Sequence, residues 1–127
     1  LFGVVGLECA FPVLFTELVK TGKFPLETIL NALCVNPRRI FGLPGGTIAE
    51  GQPADLTVLS LNHGGVVNPE GFRSLGRATP FAGRRGEAAV CMTLVGGNIV
   101  FPDGLEPSPH GTIGIVRGFD RQSGGES

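Results

Sequence analysis

Residues 36–61 read NPRRIFGLPGGTIAEGQPADLTVLSL, and the sequence pattern changes there from helical to extended. Asn36 and Pro37 are typical of a helix start, because asparagine can accept a hydrogen bond from a first-turn amide and proline has no amide to leave unpaired. The apolar pair that follows, Ile40 and Phe41, should face a core. The stretch therefore predicts helices before it and strands after it.

Turn residues and a strand follow this short helix. Gly42 is suited to end the helix, and residues 50–53 (EGQP) have the composition of a turn. Residues 55–61 (DLTVLSL) alternate as a half-buried strand does. Asp55 is a tempting catalytic carboxylate, but an aspartate between a turn and a strand commonly accepts hydrogen bonds from nearby backbone amides. We therefore expect a structural role for Asp55.

Two amphipathic helices are predicted upstream. The first should begin near Ala10 and stop at Gly22, and the second opens at Pro25. Glu17 and Lys20 are spaced to form a weak ion pair on the exposed face of the first helix. Both helices carry apolar stripes that a barrel or a sheet has to cover, so an antiparallel helix pair alone would leave apolar surface exposed.

Two glycines stand in the segment before the first helix, residues 1–8 (LFGVVGLE). Glycine at Gly3 or Gly6 can serve a tight turn, close helix packing or the approach of a ligand to the backbone. From the residues alone, a turn before a helix is the plainest interpretation.

A glycine-rich, irregular region with four arginines spans residues 62–86. An arginine set near Thr79, Pro80 and Phe81 could bind an anion, whereas loop arginines are more often solvated surface. Both interpretations stay open at this point.

A hairpin is predicted after this region. Two apolar runs, residues 88–95 and 98–101, are joined by Gly96 and Gly97, a strong signal for a two-residue turn. We expect most of residues 102–127 to be mobile, with one strand within residues 111–119.

Composition and charge exclude several classes of partner. Ten basic and eleven acidic residues leave a formal charge of −1, which predicts neither nucleic-acid nor anionic-membrane binding. No run approaches the roughly 20 apolar residues of a membrane span, and no secretion signal is visible, so we expect a cytoplasmic protein. With 127 residues and 21 glycines, the chain is one small domain or part of a larger one.

The chain lacks a recognisable metal or nucleophile motif. Three widely spaced cysteines, Cys9, Cys34 and Cys91, fit reduced structural thiols better than a disulfide framework or a zinc site. His63 and His110 stand alone in loops without partners at ligand spacing, so both are expected to be surface residues. We see no Ser-His-Asp set, phosphate-binding glycine loop or CxxC pair.

Several motifs together resemble one family. FG-x-VGLE-x-AFP-x-L occurs at residues 2–14, NP-x-x-IFGL at 36–43, G-x-I-x-x-G-x-x-ADL at 46–56 and TPF-x-G at 79–83. This combination resembles the C-terminal part of the amidohydrolase superfamily, and most closely the long, bacterial type of dihydroorotase. The ADL strand alone is typical of the whole superfamily. Leu75 departs from the family, which usually has lysine there.

The resemblance implies an α/β fold: the C-terminal end of a TIM-type (β/α)8 metal-dependent hydrolase barrel plus part of the accompanying small β-sandwich. Residues 1–43 would be the last loop and helices of the barrel, residues 44–101 the sandwich segment, and residues 102–127 a flexible tail. The chain opens at Leu1 inside an implied loop, so we expect a fragment.

The implied activity is that of a zinc-dependent cyclic amidohydrolase. Dihydroorotase interconverts N-carbamoyl-L-aspartate and (S)-dihydroorotate in pyrimidine biosynthesis, and the resemblance implies substrate contacts by Phe2 and Gly3. Gly6 and Glu8 match the family too, and we assign them to the helix start. The superfamily's metal ligands, which are histidines, a carboxylated lysine and an aspartate, are absent, so we expect no catalytic or metal residue here and an inactive fragment.

Two alternatives remain. A non-catalytic dihydroorotase-like subunit that assembles with aspartate carbamoyltransferase would keep this C-terminal half. A hydantoinase or dihydropyrimidinase would share the ADL strand but should lack GLE-x-AFP. For the parent protein the resemblance implies a small-molecule substrate and a homo-oligomer.

Overall fold

The described part of the chain combines helices with two small antiparallel sheets. The computed structural model describes residues 3–101 and the strand residues Phe119–Asp120. The α-helices come first along the chain and strands follow, as the pattern around residues 36–61 predicts, with one 3-10 turn at Pro69–Gly71 among the strands. The fold is α/β. Within the described residues, no helix combines the length and apolar character that crossing a bilayer requires.

The first helix begins and ends where the sequence predicts. Helix α1 covers Ala10–Leu14 and continues as a wide π-helical turn over Phe15–Val19. Pro12 lies in its first turn, where a missing amide breaks no helical hydrogen bond. Gly22 follows with a φ of 74°, the left-handed conformation that glycine adopts without a Cβ penalty.

The second helical run differs from the prediction at Asn36. Helix α2 (Leu26–Leu30) passes through a π-helical turn (Asn31–Val35) directly into helix α3 (Asn36–Phe41). Asn36 has helical dihedral angles of −64° and −43°, so the predicted cap at Asn36 is wrong. The wide turn ends at Val35, two residues before Pro37, whose missing amide and bulky ring disturb regular helix geometry in the preceding turn.

The apolar end of α3 is also exposed rather than buried. Ile40 is 72% exposed and Phe41 is 74% exposed, so the prediction that they face a core is wrong for the described part of the chain. Leu43 and Ile48 nearby are exposed as well, at 55% and 90%. The helical pattern correctly marks an apolar face, but no described element packs against it. Contiguous exposed apolar side chains are typical of surfaces that another polypeptide covers.

The first sheet contains the predicted strand and hairpin. Strand β1 (Leu56–Ser60) pairs antiparallel with β4 (Ala89–Val95), which pairs with β5 (Asn98–Phe101), in the order β1-β4-β5. The turn residues Gly96 and Gly97 have φ angles of 55° and 83°, as a two-residue hairpin turn of this kind requires. The hairpin prediction is confirmed.

The second sheet is smaller and has the order β3-β2-β6. It consists of β2 (Gly65–Val67), β3 (Arg85–Gly86) and β6 (Phe119–Asp120). Apart from β6, the predicted tail at residues 102–127 lies outside the described residues.

Two buried clusters hold helices and sheets together, and α1 contributes to both. One contains Cys9, Val67 and Phe72, and the other contains Phe11, Phe15 and Ala88. Partly buried apolar side chains surround each of them: Val5, Val13 and Phe81 for the first, and Val19, Leu26, Leu30, Leu59 and Leu61 for the second. Opposite faces of α1 thus contact different parts of the sheet region.

Two ion pairs tie the first helical run to the segment around β3. Glu17 pairs with Arg84 at 2.9 Å and Lys20 pairs with Glu87 at 3.0 Å. The predicted pairing of Glu17 with Lys20 is therefore wrong, because each side chain finds a partner from a distant segment. All four side chains are about half exposed, so water screens both ion pairs. The pairs therefore add little to the free energy of unfolding, and their main effect is to fix where the first helical run lies relative to β3.

Candidate functional site

The candidate substrate-contacting position within the described chain is Gly3. Its φ of 81° lies in the left-handed region, and a Cβ placed there would meet no described atom within 4 Å. Glycine is thus favoured by backbone conformation and not by lack of space. Gly3 is exposed, which leaves its backbone open to a ligand. The other predicted contact, Phe2, lies outside the described residues.

The segment after Gly3 lies against the loop at residues 72–83. The Val5 amide donates a 2.8 Å hydrogen bond to the Ala78 carbonyl oxygen. Gly6 faces the Phe81 ring, which a Cβ would approach to 3.8 Å. These contacts hold the TPF-containing segment against the start of the described chain.

The Glu8 carboxylate joins these two segments by three hydrogen bonds. Its Oε2 accepts a 2.9 Å hydrogen bond from the Arg73 amide. Its Oε1 accepts from both the Ser74 amide at 2.9 Å and the Ser74 hydroxyl at 2.6 Å. The assignment of Glu8 to the helix start misses this role, because no local sequence signal pairs residues 65 positions apart.

The electrostatics of Glu8 favour its ionised form. Partial burial raises the pKa of its carboxyl, but the hydrogen bonds from Ser74 and Arg73, with the Arg73 charge, outweigh burial and leave the pKa below its usual value. An ionised carboxylate accepts hydrogen bonds at both oxygens, as the three contacts require.

Cys9, the next residue, is fully buried. Its thiol donates to the Gly6 carbonyl oxygen at 3.4 Å. Burial raises the pKa of the Cys9 thiol, so it stays protonated and unreactive at neutral pH. Cys34 and Cys91 are also free thiols and are partly buried, as the prediction of reduced thiols requires.

Three of the loop arginines contact different partners within the described part of the chain. Arg84 pairs with Glu17, and the Arg73 guanidinium lies 5.3 Å from the centroid of the Phe101 ring. Arg77 donates to the carbonyl oxygens of Ser74 and Gly76. These contacts account for three of the four arginines as structural groups and favour the surface interpretation over an anion site.

Asp55 has the structural role that its position predicts. Its Oδ1 accepts a 2.7 Å hydrogen bond from the Gly96 amide, at the turn between β4 and β5. The Gly97 amide bonds the neighbouring Ala54 carbonyl oxygen at 3.1 Å. The start of β1 is thereby fixed to the hairpin turn.

The described residues do not fit a zinc site. Among residues 3–101, no group of three or more histidine, cysteine, aspartate or glutamate side chains could hold a metal ion. His63 is exposed, and its Nδ1 lies 3.4 Å from the Ser60 hydroxyl. His110 lies outside the described residues. We therefore assign no chemical step at a metal to this part of the chain.

An open cavity of about 430 Å³ lies elsewhere, at the end of α3. The helix end and the following loop form its lining, which includes Arg38, Arg39 and Gly46. Arg38 also donates a 3.1 Å hydrogen bond to the Cys34 sulfur. Neither Gly3 nor Glu8 contributes to this lining.

The amidohydrolase family matches residues 5–100. The chain belongs to the amidohydrolase family.

Within the amidohydrolase family, the chain is similar to dihydroorotases in sequence and to a hydantoinase in structure. The chain is 46% identical over 103 residues to dihydroorotase of Bacillus caldolyticus, covering 81% of this chain and 24% of that protein. The figures for dihydroorotase of Geobacillus kaustophilus are the same. Among solved structures, L-hydantoinase (dihydropyrimidinase) from Arthrobacter aurescens superposes with a TM-score of 0.71 at 35% identity, over 77% of this chain and 22% of that one. The chain thus spans about a quarter of the length of the dihydroorotases it matches.

Proposed function

We propose that this chain is the C-terminal portion of a dihydroorotase, which interconverts N-carbamoyl-L-aspartate and (S)-dihydroorotate. The observation that carries the proposal is the 46% identity to dihydroorotases over 81% of the chain. Identity to the L-hydantoinase is lower, at 35%, and this difference supports dihydroorotate over hydantoins as the substrate.

In this proposal Phe2 and Gly3 contact the dihydroorotate ring. The exposed backbone of Gly3 and its left-handed conformation support a close approach by a planar ligand. Hydrolysis of an unstrained cyclic amide needs an activated water, which a bound metal ion, in this proposal zinc, would supply. Its ligands would come from outside the described residues, so residues 3–101 serve to hold and present the segment around Gly3, the proposed substrate loop.

The proposed placement in the complete protein follows the same division. Residues 1–43 would belong to the end of a (β/α)8 barrel, residues 44–101 to the small β-sandwich and residues 102–127 to a tail. The exposed side chains of Ile40, Phe41 and Ile48 support this placement, because the remainder of a barrel would cover them. We expect a cytoplasmic homo-oligomer with a small-molecule substrate.

The test uses the complete open reading frame, purified with its metal content measured. We expect hydrolysis of dihydroorotate and its formation from N-carbamoyl-aspartate, with weak or no turnover of hydantoin and dihydrouracil. Preferred turnover of hydantoin or dihydrouracil would instead identify a hydantoinase-type enzyme, the alternative that the L-hydantoinase likeness supports. A folded protein that turns over none of these substrates would overturn both enzymatic proposals and favour an assembly subunit for aspartate carbamoyltransferase.

A further inference from the structure

Glu8 lies between the proposed substrate loop and the loop that follows β2. Its carboxylate accepts three hydrogen bonds from two consecutive residues, Arg73 and Ser74. Both oxygens are used, since one receives the Arg73 amide and the other receives the Ser74 amide and hydroxyl. The contact therefore fixes the orientation of the Glu8 side chain as well as its distance from the loop.

The geometry requires glutamate at this position. Glutamine has the same length, but its amide nitrogen would face a backbone N–H, setting donor against donor. Aspartate is shorter by one C–C bond, about 1.5 Å, which is too much for bonds of 2.6 to 2.9 Å to persist without backbone movement.

Three anchors together hold the segment behind Gly3. Val5 is bonded to Ala78, Glu8 is bonded to the loop at residues 73–74, and Cys9 is buried beside Val67 and Phe72. Gly3 lies only two residues before the Val5 anchor, so its reach from that amide is limited to roughly 7 Å. A shift of the anchored segment must therefore displace Gly3.

We propose that Glu8 is a positioning residue that places Gly3 against the substrate by fixing its segment to the backbone of Arg73 and Ser74. This inference rests on the proposed dihydroorotase function. Glu8 itself does not touch the substrate in this proposal. Its effect should therefore appear in substrate binding before it appears in the chemical step.

The test compares three variants of the complete, metal-loaded enzyme. Glu8→Gln removes one acceptor, Ser74→Ala removes only the hydroxyl bond, and Glu50→Gln is a matched control at an exposed glutamate on a distant turn. We expect Glu8→Gln to raise KM roughly tenfold and to leave kcat within about twofold, because a lost charged hydrogen bond is worth about a factor of ten or more. Ser74→Ala should raise KM by about threefold, since it removes one of three bonds.

Amide hydrogen exchange gives a second readout that does not depend on turnover. In Glu8→Gln, the amides of Arg73 and Ser74 should exchange roughly ten to a hundred times faster, while Glu50→Gln leaves them unchanged. A KM for Glu8→Gln equal to that of the control would overturn the proposal, even if exchange were faster, because Glu8 would then be structural only.

Failure of the proposed function has a different signature. If the wild-type enzyme does not turn over dihydroorotate, the proposed function is wrong, and so is the positioning role for that substrate. The amide exchange rates of Arg73 and Ser74 would still show whether Glu8 makes these hydrogen bonds. If circular dichroism shows that Glu8→Gln does not fold, the KM of the Ser74→Ala variant becomes the test of the proposal. An unchanged KM in that variant then overturns the proposal.

Discussion

Replacing Asp55 separates a structural aspartate from a catalytic one. Its Oδ1 lies 2.7 Å from the Gly96 amide, 41 positions away, and the bond joins the start of β1 to the hairpin turn. Asp55→Ala removes the acceptor, whereas Asp55→Asn retains a side-chain oxygen at the same distance from the backbone. The pair of variants therefore distinguishes the hydrogen bond from the negative charge.

The expected loss follows from the contact and its exposure. A hydrogen bond to a charged group contributes about 1.5 to 3 kcal/mol to stability. Asp55 is exposed, so water can replace the lost partner, and we expect Asp55→Ala to fall at the lower limit, about 1.5 kcal/mol. Asp55→Asn retains a neutral hydrogen bond, so it should cost less, about 0.5 to 1 kcal/mol, which is the difference between the charged and the neutral bond.

Amide exchange at Gly96 and urea unfolding measure the two consequences. For Asp55→Ala we expect exchange at Gly96 to accelerate by roughly tenfold, the factor that about 1.4 kcal/mol corresponds to, with a smaller change in Asp55→Asn. Turnover by the complete enzyme should stay within about twofold in both variants. The reasoning is refuted if Asp55→Asn abolishes turnover while stability is unchanged, because the carboxylate would then take part in the chemistry.

Two further predictions concern Glu8 and Gly64. The pKa of Glu8 is lowered from the ordinary value of 4.5 in the folded chain, so its ionised form stabilises the fold above pH 4.5. The difference in unfolding free energy between wild type and Glu8→Gln should shrink as the pH falls from 4.5 through the lower folded pKa; a gap that stays constant down to pH 2 would contradict this. A Cβ on Gly64 would overlap the carbonyl oxygen of Gly86 and lie 2.8 Å from the Glu87 carbonyl carbon. Gly64→Ala should therefore lower the urea midpoint more than Gly6→Ala, whose Cβ would make only an ordinary contact, at 3.8 Å from the Phe81 ring.

Local chemistry made several elements predictable from the sequence. Gly22 ends the first helical run and Gly96 with Gly97 forms the hairpin turn, because each of these conformations is decided within a few residues of the chain. A structural role for Asp55 was predictable because an aspartate between a turn and a strand commonly accepts a backbone hydrogen bond, but its partner Gly96, 41 positions away, was not.

Features that depend on distant contacts were not predictable in this way. The Asn36-Pro37 pair has the composition of a helix start, yet the helix runs through it, because a wide turn before the proline accommodates the ring. Glu17 pairs with Arg84 and not with its helical neighbour. Glu8 and Ser74 are joined across 66 positions, and no spacing rule for helices or strands connects such residues.

The candidate site shows why membership of the amidohydrolase family and catalytic competence are separate conclusions. The family match covers residues 5–100, but the described residues contain no cluster that could hold a metal. These residues do contain three that are held in place by hydrogen bonds or burial, Val5, Glu8 and Cys9, and they follow the exposed Gly3 in the chain. A positioned substrate loop requires only hydrogen bonds and packing, which a short chain can supply, whereas activating water requires charged ligands that converge from several strands. Under the proposed function, the described residues would place the substrate, and the groups that activate water would lie outside residues 3–101.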